Sequence, residues 1–217
     1  MSLRGGAKRR RRNPVVNAIC HGIATLTPFA RDDRIIYDLL FSNMDLFLFI
    51  FIIIIGLALF SVAWACMSLA PFVPMRTNDL KRIFKLADLQ PGETFYDLGC
   101  GNGKVAIYAA RNYKVKAKGI EFAWPIWLLA KINQFFKGNK NLKIKFGNLF
   151  KQDLSQADVV YFFGMPDSVK KRLKEKLERE LKPAARVVSY VFAVPGWQPA
   201  MVDKPSDKDV TIYLYQR

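Results

Sequence analysis

The sequence predicts an α/β fold: a Rossmann-like, doubly wound, mostly parallel sheet with an antiparallel C-terminal strand, preceded by one transmembrane helix. Three observations predict it. From residue 94 onward, short β-branched or aromatic runs alternate with helix-period segments, the pattern of a parallel sheet covered on both faces. The first of these runs ends in a glycine-rich turn, Asp97-Leu98-Gly99-Cys100-Gly101-Asn102-Gly103, which opens a helix. Further upstream, residues 46–70 carry no charge and are mostly Leu, Ile, Phe and Ala.

Taken in order, residues 1–45 read as a basic, partly disordered segment. The run Lys8-Arg9-Arg10-Arg11-Arg12 repels itself and suits an anionic lipid surface, and residues 14–30 have the spacing of an interfacial helix. The 25 residues 46–70 make a helix of ~37 Å, longer than the ~30 Å hydrocarbon core, and they are apolar all round, which a core helix is not. The run starts too late and lasts too long for a cleaved signal peptide. Residues 71–89 form a linker and a helix beginning at Thr77, with Leu80, Ile83, Phe84 and Leu86 on its apolar face. The α/β domain spans 90–217. Its strands are expected at 94–98, 115–120, 142–146, 159–163, 186–192 and 210–215, and its helices at 104–111, 124–136 and 168–181.

Net charge is +16, from 34 Lys and Arg against 18 Asp and Glu, which favours anionic neighbours. From residue 71 onward there are 26 basic and 14 acidic residues, so +12 belongs to the soluble part. Cys20, Cys66 and Cys100 are far apart, suggesting neither a disulfide framework nor a zinc site. The one histidine, His21, lies outside the α/β domain, which excludes Ser-His and Cys-His pairs there. Clustering of Arg76, Lys81, Arg82 and Lys85 after the span places that domain in the cytoplasm, as does the need for a cytosolic cofactor. The distant run of arginines argues the other way, unless residues 14–30 dip into the membrane and return the tail to the same side.

That cofactor is expected to be S-adenosylmethionine (SAM). Gly99, Gly101 and Gly103 let the backbone turn sharply and approach a ligand, the amides opening the helix receive its carboxylate, and Asp97 faces its ammonium. Glu121, 24 residues after Asp97, stands where an acid accepts both ribose hydroxyls. A dinucleotide loop needs its third glycine at position 104, which is Lys, and a Walker loop needs Ser or Thr where Val105 stands. Asn102, Phe122 and Leu149 complete the expected cofactor contacts. Asn148 either bonds the adenine amino group or simply serves its turn.

After the fourth strand comes Tyr161-Phe162-Phe163-Gly164-Met165-Pro166-Asp167, beside the methyl to be transferred. It lacks the Asn- or Asp-Pro-Pro-aromatic motif of adenine N6 methyltransferases, so nucleic acid is disfavoured as a partner. Tyr161 and Phe163 are either strand core or the wall of a channel. Such a wall suits a lysine amine, whose pKa falls on burial beside a sulfonium, and in-line displacement then depends on alignment within about 3–3.5 Å.

Together with the glycine loop, Pro71-Phe72-Val73-Pro74, Gly119-Ile120-Glu121 and Val194-Pro195-Gly196-Trp197-Gln198-Pro199 resemble one family over residue 71 to the C-terminus. It is the group of seven-β-strand protein-lysine methyltransferases that includes the archaeal broad-specificity enzymes and the mitochondrial enzymes acting on the adenine nucleotide translocase and the ATP synthase c-subunit. The resemblance implies lysine N-methylation of a protein substrate, including membrane-associated ones. It also implies that Phe72, Pro74 and Trp197 shape the cofactor or substrate channel. Asn148 stands where many class I enzymes have Asp, which leaves its adenine contact open. The alternatives are methylation of a lipid or quinone, which a single-pass membrane anchor suits equally well, and a non-catalytic SAM-binding membrane module.

Overall fold

The computed structural model describes residues 44–64, 70 and 73–217; the basic run, the segment 14–30 and Phe72 lie outside the described residues. Helix α1, Met44–Trp64, is long and apolar enough to cross a membrane, and none of its residues is fully buried, with Ala58, Ser61 and Val62 partly covered. The second part of the chain is an α/β body that begins with α2, Thr77–Ala87. Leu80, Ile83, Phe84 and Ala87 fall on one helical face and are buried. The helix stops at Asp88, which turns left-handed (φ 44°) and donates its amide to Phe84 O.

The sheet contains β1 (Thr94–Leu98), β2 (Lys116–Glu121), β3 (Leu142–Phe146), β4 (Val159–Phe163), β5 (Arg186–Tyr190), β6 (Met201–Asp203) and β7 (Ile212–Gln216), in spatial order β3-β2-β1-β4-β5-β7-β6. The first five are parallel, and β7 lies antiparallel between β5 and β6. Helices α3 (Lys104–Asn112) and α4 (Trp124–Lys137) cross between the first three strands. After β4, α5 (Pro166–Ser168) runs through a π-helical segment, Val169–Leu173, into α6 (Lys174–Glu180). The 159–163 run shows why both faces are covered. Val159 and Tyr161 enter the core beneath α2 and α3, while Val160 and Phe162 enter the opposite core with Leu173 and Leu177.

Three details differ from the sequence expectation. Strand β5 ends at Tyr190 rather than 192 because Val191 adopts φ 72°, a strained left-handed conformation for a β-branched residue; it is held there by Val191 N donating to Thr211 O and by Ser189 Oγ donating to Phe192 O. The helix expected over 168–181 is broken by its π turn, which keeps Val169, Leu173 and Leu177 all facing inward. The three-residue strand β6 went unread because it is short and mostly exposed.

An ionic brace ties α2 to the far end of the sheet. Arg82 donates to Asp79 Oδ1 (3.0 Å), to Asp203 Oδ2 (2.7 Å) and to the carbonyl of Val210 (2.8 Å). Asp79 is only 4% exposed and also accepts the hydroxyl of Tyr190 at 2.7 Å. Replacing Arg82 with methionine keeps much of the side-chain volume but strands a buried carboxylate. The Arg82→Met variant is expected to lose about 3 kcal/mol of stability, read from chemical denaturation, and to lose it even when cofactor is absent.

Candidate active site

The strand order reverses between β1 and β4, so the carboxyl ends of these neighbours open a crevice where ligands of such sheets bind. The loop from β1 to α3 forms one lip. Gly99 and Cys100 both donate their amides to Ile120 O at 2.9 Å, pinning the loop to the end of β2. Gly103, the residue capping α3, has φ 78°, a left-handed conformation that a side chain would strain, and a β-carbon there would face Ala130, Ile144 and Ile107 rather than the crevice. Gly119 is fixed for a different reason: a β-carbon there would stand 2.7 Å from Ile144 Cδ1 and 2.9 Å from Cys100 Sγ.

Asp97, one residue before the end of β1, lies beside Tyr161 of β4 and Gly119 of β2, and is 1% exposed. Its one hydrogen bond among the described residues is the amide of Ala106, at 3.2 Å. Burial pushes its carboxyl up to about 8; the Ala106 amide opposes that rise and the charge of Glu121 adds to it. Glu121, 8% exposed, accepts three amides: Gly101 on Oε2 at 2.9 Å, and Phe122 and Ala123 on Oε1 at 2.9 and 2.8 Å. Burial raises its pKa as well, against the pull of those amides. The Cys100 thiol is pushed up by burial and the neighbouring acids, so it is not a thiolate nucleophile.

The crevice is lined by Asp97, Gly99, Gly101, Asn102, Glu121, Phe122, Asn148, Leu149, Tyr161 and Phe163. These residues, expected from the sequence to meet cofactor or substrate, are therefore gathered in one place, with Gly103 immediately behind them at the start of α3. Asn148 caps a short 3₁₀ turn, Leu149–Lys151, by accepting the Phe150 amide on its side-chain oxygen. Phe122 stacks on Phe146 with nearly parallel rings, 6.1 Å between centroids. Tyr190, Met75 and Lys104 also line the crevice and were not foreseen. Tyr190 follows from topology alone, since β5 lies next to β4.

Trp197 is seated elsewhere. Its indole N–H donates to Glu178 Oε1 at 2.7 Å, its ring packs edge-on against Tyr215, and it belongs to the core on the opposite sheet face from Tyr161. This tryptophan braces the segment after β5 against α6 and is not among the residues lining the crevice, so the channel role implied by the family resemblance stays an expectation. Phe72 lies outside the described residues, and Pro74 is exposed.

The donor set fits a cationic adenosyl ligand. Two buried acids stand at adjacent strand ends, and neither forms an ion pair among the described residues. A buried carboxyl without a counter-ion favours its neutral form until a cation arrives. Asp97 and the loop amides would hold an amino-acid end, and Glu121 would hold vicinal hydroxyls.

Comparison with known proteins agrees with this chemistry. Residues 97–201 match the family model of the ANTKMT methyltransferase domain, and residues 65–126 match that of mycolic acid cyclopropane synthetase. The chain is 39% identical over 149 residues to a protein-lysine N-methyltransferase of Saccharolobus islandicus, spanning 67% of this chain and 92% of that protein. It is 33% identical to the human ATP synthase c-subunit lysine N-methyltransferase, covering 59% of this chain and 54% of that protein. A crystal structure described as an RNA methyltransferase from Salinibacter ruber with S-adenosyl-L-homocysteine superposes with a TM-score of 0.63 at 30% identity, over 66% of this chain and 93% of that one. The fold, the cofactor site and the near full-length archaeal match lead to one conclusion: the chain belongs to the family of class I, SAM-dependent protein-lysine N-methyltransferases.

Proposed function

We propose that this protein is a membrane-anchored enzyme that methylates the side-chain nitrogen of protein lysines, with α1 as a single-pass anchor and the catalytic body in the cytoplasm. The observation that carries the acceptor reading is the aromatic wall beside Asp97. Tyr161 and Phe163 of β4 and Tyr190 of β5 face the crevice, Phe163 packs edge-on against Tyr190, and Phe192 stacks on Phe163. Asp97 and Glu121 are the acids in this lining, and no histidine stands there to act as base.

Bound SAM supplies an electrophilic methyl on a sulfonium. The chain's own residues then have three tasks. Asp97, Glu121 and the loop amides orient the cofactor. The rings exclude water, so an amine between them loses hydration and its pKa falls toward the neutral, nucleophilic form. Tyr161 and Tyr190 stay protonated, their pKa values raised chiefly by burial, so both are hydrogen-bond donors rather than bases. Alignment supplies most of the rate. The protein target is a membrane protein or one held at a membrane; the names of the animal relatives support this, as does α1.

Incubating the full chain, in its own membranes, with methyl-labelled SAM should place label on lysine side chains, read by mass spectrometry with and without active enzyme. Label confined to the lipid extract would instead establish the lipid or quinone reading. Label in RNA would overturn the lysine reading in favour of the activity named for the Salinibacter ruber structure.

The Asp97 carboxyl gives a second expectation. In the empty protein its value of about 8 lies above an unfolded value near ~3.9, so this group withdraws stability as pH rises from about 4 to about 8. An ammonium selects the ionised form, so cofactor binding must expel the proton. SAM affinity is expected to rise about tenfold between pH 6 and pH 7, with proton release visible by calorimetry in two buffers of different ionisation enthalpy. Asp97→Asn should abolish both the pH slope and the released proton; a slope that survives this change would remove Asp97 from the ammonium site.

A further inference from the structure

Helix α4 is inside out for a helix covering a sheet. Ala130 is its one buried residue, and the polar side chains of Asn133 and Gln134 tie it inward, to Asn102 O (3.0 Å) and Leu142 O (2.8 Å). Outward it presents Leu128, Leu129, Ile132, Phe135 and Phe136, an i, i+4, i+7, i+8 stripe with one neighbour; Phe135 is 84% and Phe136 75% exposed. A water-facing helix buries such a stripe, and a contiguous exposed one marks an interaction surface.

Charge around the stripe is one-sided. Residues 122–152 contain six lysines and no Asp or Glu, half of the net charge carried from residue 71 onward. Lys137 ends the helix and Lys140 follows it, and Lys143 and Lys145 stand exposed on β3, the adjoining edge strand. Lysines on an edge strand oppose pairing with a second copy. Aliphatic Leu128, Leu129 and Ile132 match hydrocarbon better than stacked bases, which separates this face from a single-stranded nucleic acid platform.

We propose that α4 and the β3 edge form an interfacial membrane-binding surface, with the apolar stripe at the headgroup and acyl boundary and the lysines against anionic lipid phosphates. The surface is distinct from α1 and does not rest on lysine being the acceptor. Because Phe122 and Ile126 line the crevice at the start of the same helix, docking α4 holds the crevice mouth beside the headgroups.

The test uses the full chain with Cys20→Ser and Cys66→Ser, leaving buried Cys100, reconstituted in vesicles of phosphatidylcholine with phosphatidylglycerol. An environment-sensitive fluorophore is attached at Phe136→Cys, at Leu129→Cys as a second position on the stripe, or at Lys208→Cys near the opposite sheet edge. Doxyl-labelled lipid is expected to quench the two α4 positions at least twofold more than position 208. The difference should shrink in pure phosphatidylcholine and in Lys137→Glu, Lys143→Glu protein. Equal quenching at all three positions overturns the proposal. So does energy transfer between copies that vanishes on dilution, which assigns the face to self-association, or a spectral shift on adding RNA without lipid, which assigns it to nucleic acid.

Discussion

Asp97 and Glu121 stand at the carboxyl ends of adjacent parallel strands, removed from water and, among the described residues, paired with no cation. Two acids so placed oppose each other's ionisation, and the surrounding chain is shaped by offsetting that cost. Glu121 is met by three amides, one from Gly101, whose left-handed backbone turns the N–H toward it. Asp97 has only the Ala106 amide, so its charge remains largely uncompensated. The glycine loop therefore serves two ends: it steadies one acid and leaves the other to be completed by a ligand's positive charge.

Asp79 provides the contrast within the same protein. It too is buried, but Arg82 and the hydroxyl of Tyr190 both reach it. The fold can evidently supply a cation to a buried acid, and it does so at α2 but not at the switch point. Tyr190 connects the two places, since it lines the crevice while its hydroxyl is held by Asp79. The brace thus fixes the angle of an aromatic wall residue as well as the position of a helix.

Most of the catalytic body was legible because its signals are local. Alternating apolar runs mark strands, and three glycines after Asp97 mark the turn, so the ligand lip could be drawn from residues 97–103 and 121. What escaped depends on distant partners. Val191 ends β5 by a strained turn that no propensity forecasts, and Tyr190 joins the site only because β5 lies beside β4. The seat of Trp197 was likewise illegible, because a family segment conveys that a residue matters without conveying which sheet face it occupies. Its partners Glu178 and Tyr215 settle that, and both are remote from it in sequence.

The charge excess shows the same limit from another side. Counted along the sequence it looks like a diffuse lysine-rich surface, yet half of the excess after residue 71 falls in a stretch without a single acid, around a helix whose oily stripe points outward. Periodicity alone assigns that stripe to the core, since a 3.6-residue repeat says which residues share a face and not which way the face turns. The direction is set by Asn133 and Gln134, whose amides bond the loop at Asn102 and the strand at Leu142, and by Ala130, whose small size lets α4 sit close to the sheet. Small and polar residues inward with large apolar residues outward is the arrangement of a helix that meets a nonaqueous phase. With the crevice opening at the first turn of that helix, the proposed membrane surface and the crevice mouth share one element.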